Sequence, residues 1–162
     1  MNKDREVAQE PQVRTAVSDL QIKYAVKQKL SELPTVKSSA DLVKVVRDNW
    51  KGMPIEFVEQ FYLIGLNRAN KVKFVQSIST GGVSGTVVDV KVVAVMLLQA
   101  MCSGCAIAHN HPSGNMKPSN ADIELTKKVK NAMTLLDIRM LDHVILSPEE
   151  GSYYSFADEG RL

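Results

Sequence analysis

The sequence predicts a mixed α/β domain, a β-sheet flanked by helices. Three observations predict it. Segments with apolar residues at helical spacing alternate with short, largely apolar runs of strand length. Turn residues fall between them, at Pro34, Gly52 and Pro54, Asn67 to Asn70, Gly81 and Gly82, and Pro112 to Gly114. The 162 residues, 44% hydrophobic and 23% charged, suit one globular domain. A chain of that length needs neither disulfide nor metal merely to fold.

Taken in order, residues 1–15 are polar and mixed in charge, with Pro11 among them, and read as a flexible arm. Residues 16–53 form a helical segment. Leu20, Ile22, Ala25, Val26 and Leu30 fall near helical spacing in a first helix over Val17 to Leu33, which Pro34 stops. Ser38 or Ser39 caps a second, with Leu42, Val45 and Val46 inward. The pattern then changes. Phe61 to Leu66 is apolar on both alternating faces, as in a strand buried on both sides. Lys71 to Ser79 reads as its hairpin partner. Gly81, Gly82 and Gly85 mark a tight crossing. Val90 to Met101 is a helix packed on the sheet through Val90, Val93, Ala94, Leu97, Leu98 and Met101. Gly104 to Ala108 is a short strand of small residues. Ser119 to Leu136 is a helix with Ile123, Val129, Ala132, Met133 and Leu136 inward. Leu141 to Leu146 and Tyr153 to Phe156 complete the strands.

Charge and cysteine content exclude several classes. Twenty Lys+Arg against 18 Asp+Glu give +2, with a pI near 8.5. That is below the value above ~9 typical of domains that bind nucleic acid through their field, so nucleic acid is a possible partner that the charge does not support. Lys127, Lys128 and Lys130 read as a solvated helix face. The longest apolar stretch, Val87 to Ala100, is interrupted by Asp89, Lys91 and Gln99, so no membrane span and no membrane partner is expected. The N-terminus lacks a secretory core. Cys102 and Cys105 are too close together to staple distant segments, and a reducing, cytoplasmic location is the expectation. The pair is read as buried small residues. Cys105 lies four residues before His109, roughly 13 Å along a strand, too far to share a metal with it.

The chemistry concentrates in His109-Asn110-His111-Pro112-Ser113-Gly114 and Pro118-Ser119-Asn120-Ala121-Asp122. On a strand His109 and His111 point to one face and Asn110 to the other. Two imidazoles one residue apart are a natural pair of zinc ligands, and Asp122, one turn into the following helix, can add a carboxylate. Two His and one carboxylate leave a fourth tetrahedral position open, as a catalytic zinc site requires. Ser119 with Asp122 is equally a capping box, and both readings stand together. The third histidine, His143, is read as a satisfied core histidine in preference to a partner of the site.

The joint spacing, with Thr126, resembles the JAMM motif of JAB/MPN metallopeptidases, in the RadC-like bacterial branch. Thr80-Gly81-Gly82, Leu141-Asp142-His143-Val144-Ile145 and Tyr154-Ser155-Phe156 extend the resemblance over roughly Glu56 to Leu162. It implies a JAB/MPN, cytidine-deaminase-like architecture for residues 54–162. It further implies Zn²⁺ held by His109, His111 and Asp122, and hydrolysis of a peptide or isopeptide bond in a protein or peptide substrate. Family members carry a catalytic glutamate just before an alternating apolar strand. Glu59 matches that placement and Glu56 is the fallback. Ser119 would hydrogen-bond the oxyanion. Residues 1–52 show no glycine-rich hairpin of the helix-hairpin-helix kind that full-length members usually carry, and Val90-Lys91-Val92 stands where the family tends to have Pro-Arg-Glu. The alternative is a non-enzymatic JAB/MPN binding module in a DNA-repair or mobile-element setting. A zinc deaminase is disfavoured, because neither H-x-E nor P-C-x-x-C occurs.

Overall fold

The structure, a computed structural model, describes residues 29–81 and 88–162. The arm 1–15, most of the helix expected over Val17 to Leu33, and Gly82 and Gly85 lie outside those residues. The first described element is a 3-10 turn, Leu30–Glu32. Thr35 then bridges to Lys71.

Helix α1 is Ser39–Asp48. Ser38 caps it reciprocally with Asp41, so two backbone N–H groups at the helix start find acceptors. Strands β1 (Gln60–Leu66) and β2 (Val72–Thr80) form an antiparallel hairpin. Helix α2 (Val90–Gln99) starts on the Asp89 cap. Strand β3 (Gly104–Asn110) runs antiparallel to β1. Helix α3 (Asn120–Thr134) crosses to β4 (Arg139–Leu146), parallel to β3, and β5 (Tyr153–Ser155) closes the far edge. The sheet order is β2-β1-β3-β4-β5. This is a mixed five-stranded sheet with helices on both faces.

Side-chain alternation divides the core in two. Tyr62, Ile64, Leu66, Ala106, Ala108, Val144 and Leu146 face α1, where Leu42, Val43, Val45 and Val46 cover them. Phe61, Leu63, Cys105, Ile107 and Met140 face α2 and α3, under Val93, Leu97, Val129 and Met133. All seven residues of β1 are buried, as its unbroken apolar run predicts. At Gly65 an added Cβ would lie 2.2 Å from the Phe74 ring and 2.7 Å from Cys102 Sγ, so only glycine lets β1 and β2 close here. Cys102 and Cys105 are free and buried. Burial pushes their thiols up to about 11 and about 12, so neither is a thiolate near neutral pH.

Helices α2 and α3 stop before the sequence pattern does. Met101 is 80% exposed and Leu136 38%, where an inward position was expected, and Leu98, inside α2, is 48% exposed on its outer face, also against expectation. Each helix ends in a Schellman turn. Cys102 N–H donates to Leu97 O and Met101 N–H to Leu98 O. Ile138 N–H donates to Met133 O and Asp137 N–H to Thr134 O. The left-handed residues are Met101 (φ 48°) and Asp137 (φ 55°). Glycine is the usual occupant, and its absence hid both stops.

Candidate metal centre

Strand alternation puts His109 on the α3 face of the sheet, and the loop into α3 brings Asp122 to it and to His111. Strand β3 continues two residues past Ala108, because His109 pairs with Phe61 on β1 and Ile145 on β4, and Asn110 pairs with Leu146 on β4. His109 is therefore fixed on a central strand, buried to 2% exposure and stacked on Phe61 at 6.0 Å. His111 follows, its backbone N–H donating to Leu146 O. Its Nδ1–H donates to Asn115 O at 2.5 Å. A carbonyl only accepts, so the neutral ring turns the Nε2 lone pair inward.

Asp122 arrives from the first turn of α3. Ser119 N–H and Ser119 Oγ–H both donate to Asp122 Oδ2, at 2.7 and 2.6 Å, and Asp122 N–H donates back to Ser119 Oγ at 3.1 Å. The capping box thus also aims a carboxylate. Asp122 Oδ1 lies 3.2 Å from His109 Nε2, and Oδ2 lies 3.6 Å from His111 Nε2. The two Nε2 atoms are 3.1 Å apart. Glu59, the residue before β1, places Oε1 3.8 Å from His111 Nε2. One ligand atom each from Glu59, His109 and His111 lies within 4.8 Å of the others. Glu56 is exposed and does not line the cleft of about 470 Å³ that Glu59, His109, His111, Ser119 and Asp122 share with Phe57.

The charges follow from these contacts. Burial alone would raise the Asp122 carboxyl, but His109 and His111, which when protonated turn an Nε2–H toward it, hold it well below the usual carboxylate range. His111 is raised, first by its hydrogen bond to Asp122, against desolvation, with the Asn115 carbonyl helping. Among the described residues the ion pairs of Asp122 and Glu59 are with histidines alone.

Two further residues belong to this architecture. Asn110 points to the opposite face, as alternation requires, and is fully buried. Its side-chain N–H₂ donates to Ile55 O (2.6 Å) and Val58 O (2.8 Å), and its oxygen accepts from Gln60 N–H (2.7 Å). One side chain therefore pins the backbone on both sides of Glu59. The sequence signal was a polar residue inside a strand flanked by two histidines. His143, read as a core histidine, is buried completely, but its Nε2 lies 2.8 Å from His109 Nδ1, so it is a direct partner of the site. Burial, with His109 alongside, holds its imidazole well below the ordinary value. Only the β3–β4 register brings these two rings together, and that register is not written in local sequence.

The sequence profile of the RadC-like JAB domain matches residues 36–161. A UPF0758 protein of Flavobacterium johnsoniae is 40% identical over 129 residues, covering 80% of this chain and 54% of the relative. Another, of Porphyromonas gingivalis, is 42% identical over 104 residues, 64% of this chain and 45% of the relative. A third, of Chlorobium chlorochromatii, is 36% identical over 110 residues, 68% and 49%. The chain spans about half the length of the curated relatives it matches. No helix among the described residues is long and apolar enough to cross a membrane. By the profile match and these identities, the chain belongs to the RadC-like JAB domain family.

Proposed function

We propose that this domain is a zinc-dependent hydrolase of peptide or isopeptide bonds. The observation that carries the reading is the separation of the donor atoms. Zinc bonds of ~2.0–2.1 Å in a tetrahedron put neighbouring ligand atoms about 3.3 Å apart. The contacts among His109 Nε2, His111 Nε2 and Asp122 run from 3.1 to 3.6 Å. Nitrogen and carboxylate donors of this kind fit zinc, and three of them leave a position open to the cleft. His109, His111 and Asp122 would hold the ion. Glu59, farther off and at the cleft wall, stays out of the ligand set. When bound, the metal supplies Lewis acidity for attack on a carbonyl.

The protein's own groups do the rest. Glu59 Oε takes a proton from the attacking water and returns it to the leaving amine nitrogen. Asn110 holds Glu59 at its place through the backbone on either side. Phe57 and Phe61 give the cleft apolar walls that keep bulk water from the reacting atoms. Ser119 has two roles that separate experimentally: it caps α3 and aims Asp122, and its hydroxyl turns to the developing oxyanion once substrate is bound. As a cap, Ser119→Ala costs about 1 kcal/mol of stability, measured by denaturation. As an oxyanion donor its loss costs about 10²–10³ in turnover of folded, zinc-loaded protein. A stability loss with unchanged turnover would leave Ser119 as a cap alone.

The test of the whole reading is metal analysis of the purified chain by native mass spectrometry, with a peptide and isopeptide substrate panel. About one zinc per chain and metal-dependent cleavage are expected. A chain that neither contains nor takes up zinc removes the site assignment, and a zinc-loaded chain that cleaves no member of the panel removes the hydrolase assignment.

A further inference from the structure

We propose that Thr126 and His143 are positioning residues that fix the tautomer of His109, so that a bare Nε2 lone pair faces the metal position. The inference rests on the metal reading above and follows from counting protons. Thr126 Oγ1 lies 2.6 Å from Asp122 O, four residues earlier on α3. A carbonyl only accepts, so the single hydroxyl proton is committed there. The same Oγ1 lies 2.6 Å from His143 Nδ1. With its proton spent, the oxygen accepts, and His143 Nδ1 carries the hydrogen. A neutral imidazole has one N–H, so His143 Nε2 is a lone pair. It faces His109 Nδ1 at 2.8 Å, which must then be the donor. In the neutral His109 ring Nε2 is then left bare, 3.2 Å from Asp122 Oδ1.

His143 is sealed in the neutral state this order needs. It is fully buried, stacked on Phe156 at 4.8 Å and tilted against Phe61 at 5.9 Å. Among the described residues its ring nitrogens bond only His109 and Thr126. The chain of bonds starts at the Asp122 carbonyl and ends at His109 Nδ1, on the ring whose Nε2 faces the Asp122 carboxylate. It ties α3, β4 and β3 together at the one point where the ligand atoms meet. The opposite tautomer would aim an N–H at the metal position and must be undone before His109 can ligate.

The test uses the full chain and two readouts other than activity. Two-bond ¹⁵N–¹H correlation spectra of the metal-free protein, at mildly alkaline pH, report which nitrogen of each histidine carries hydrogen. The expected pattern is Nδ1–H on both His109 and His143. Zinc affinity is measured by competition with a chromophoric chelator. Thr126→Val keeps shape but removes the hydroxyl, and weakens zinc about 10–100-fold, the usual worth of an outer partner of a ligating histidine. Thr126→Ser restores it. His143→Phe behaves as Thr126→Val, and the threonine pair decides alone if that variant fails to fold. Nε2–H on His109 in the wild type overturns the proposal. So does Thr126→Val with unchanged spectra and affinity. A wild type with the expected tautomers that binds no zinc removes the metal reading and leaves the proton order standing.

Discussion

On the proposed function, Glu59→Gln is expected to lower the rate of peptide-bond hydrolysis by about 10²–10⁴-fold and to leave zinc bound, the ordinary size of a general-base contribution. The expectation comes from where the carboxylate stands. Its oxygen is 3.8 Å from His111 Nε2, against 3.1 to 3.6 Å for the contacts among His109, His111 and Asp122. It therefore sits within reach of a water at the metal position without belonging to the tightest set. Its backbone is held on both sides. Gly81 N–H donates to Glu59 O at 2.9 Å, and Asn110 accepts from Gln60 N–H. Glutamine fills the same volume in the same place but cannot take up a proton. Glu56→Gln changes nothing, because Glu56 lies outside the cleft. Zinc content must be read beside the rate. Glu59→Gln that sheds its zinc would make Glu59 a ligand, and equal rate losses at Glu56 and Glu59 would remove the base assignment altogether.

Local chemistry made much of this molecule legible. The cap at Ser38, one of the two serines the pattern allowed, the buried run of β1 and the small residues of β3 each follow from nearest neighbours in sequence, and each stands where the pattern put it. So does the meeting of His109, His111 and Asp122, since strand alternation and one helical turn are short-range rules. What sequence hid was set by tertiary context. His109-Asn110 looks like the start of a loop, yet remains strand because β1 and β4 hold it from both sides. Met101 and Asp137 adopt left-handed backbone without glycine, so the ends of α2 and α3 ran long. Asn110 and His143 owe their roles to partners about 50 and 34 residues away, across a register that no local pattern encodes.

His111→Ala is expected to abolish stoichiometric zinc binding while the domain stays folded. Removal of an outer partner of a ligand weakens a metal site about 10–100-fold, and loss of a ligand itself must cost more than that. The fold survives because His111 stands beyond the end of β3, outside both core clusters. The pH dependence supplies a second signature. The Asp122 contact raises His111 in the metal-free protein above its ordinary ~6.5. A raised folded-state value means that protonated His111 stabilises the metal-free fold. That stabilisation is complete below ~6.5 and is lost as pH rises through the raised value. Zinc needs the unprotonated Nε2, so binding below the raised value releases a proton, and affinity falls about tenfold for each pH unit lost. Chelator competition across pH then shows a sloping limb that levels off above the raised value, while the thermal midpoint of metal-free protein moves the opposite way. His111→Ala removes the His111 part of both dependences together. If the variant keeps one zinc per chain, or if wild-type affinity is flat across that window, His111 is not a ligand.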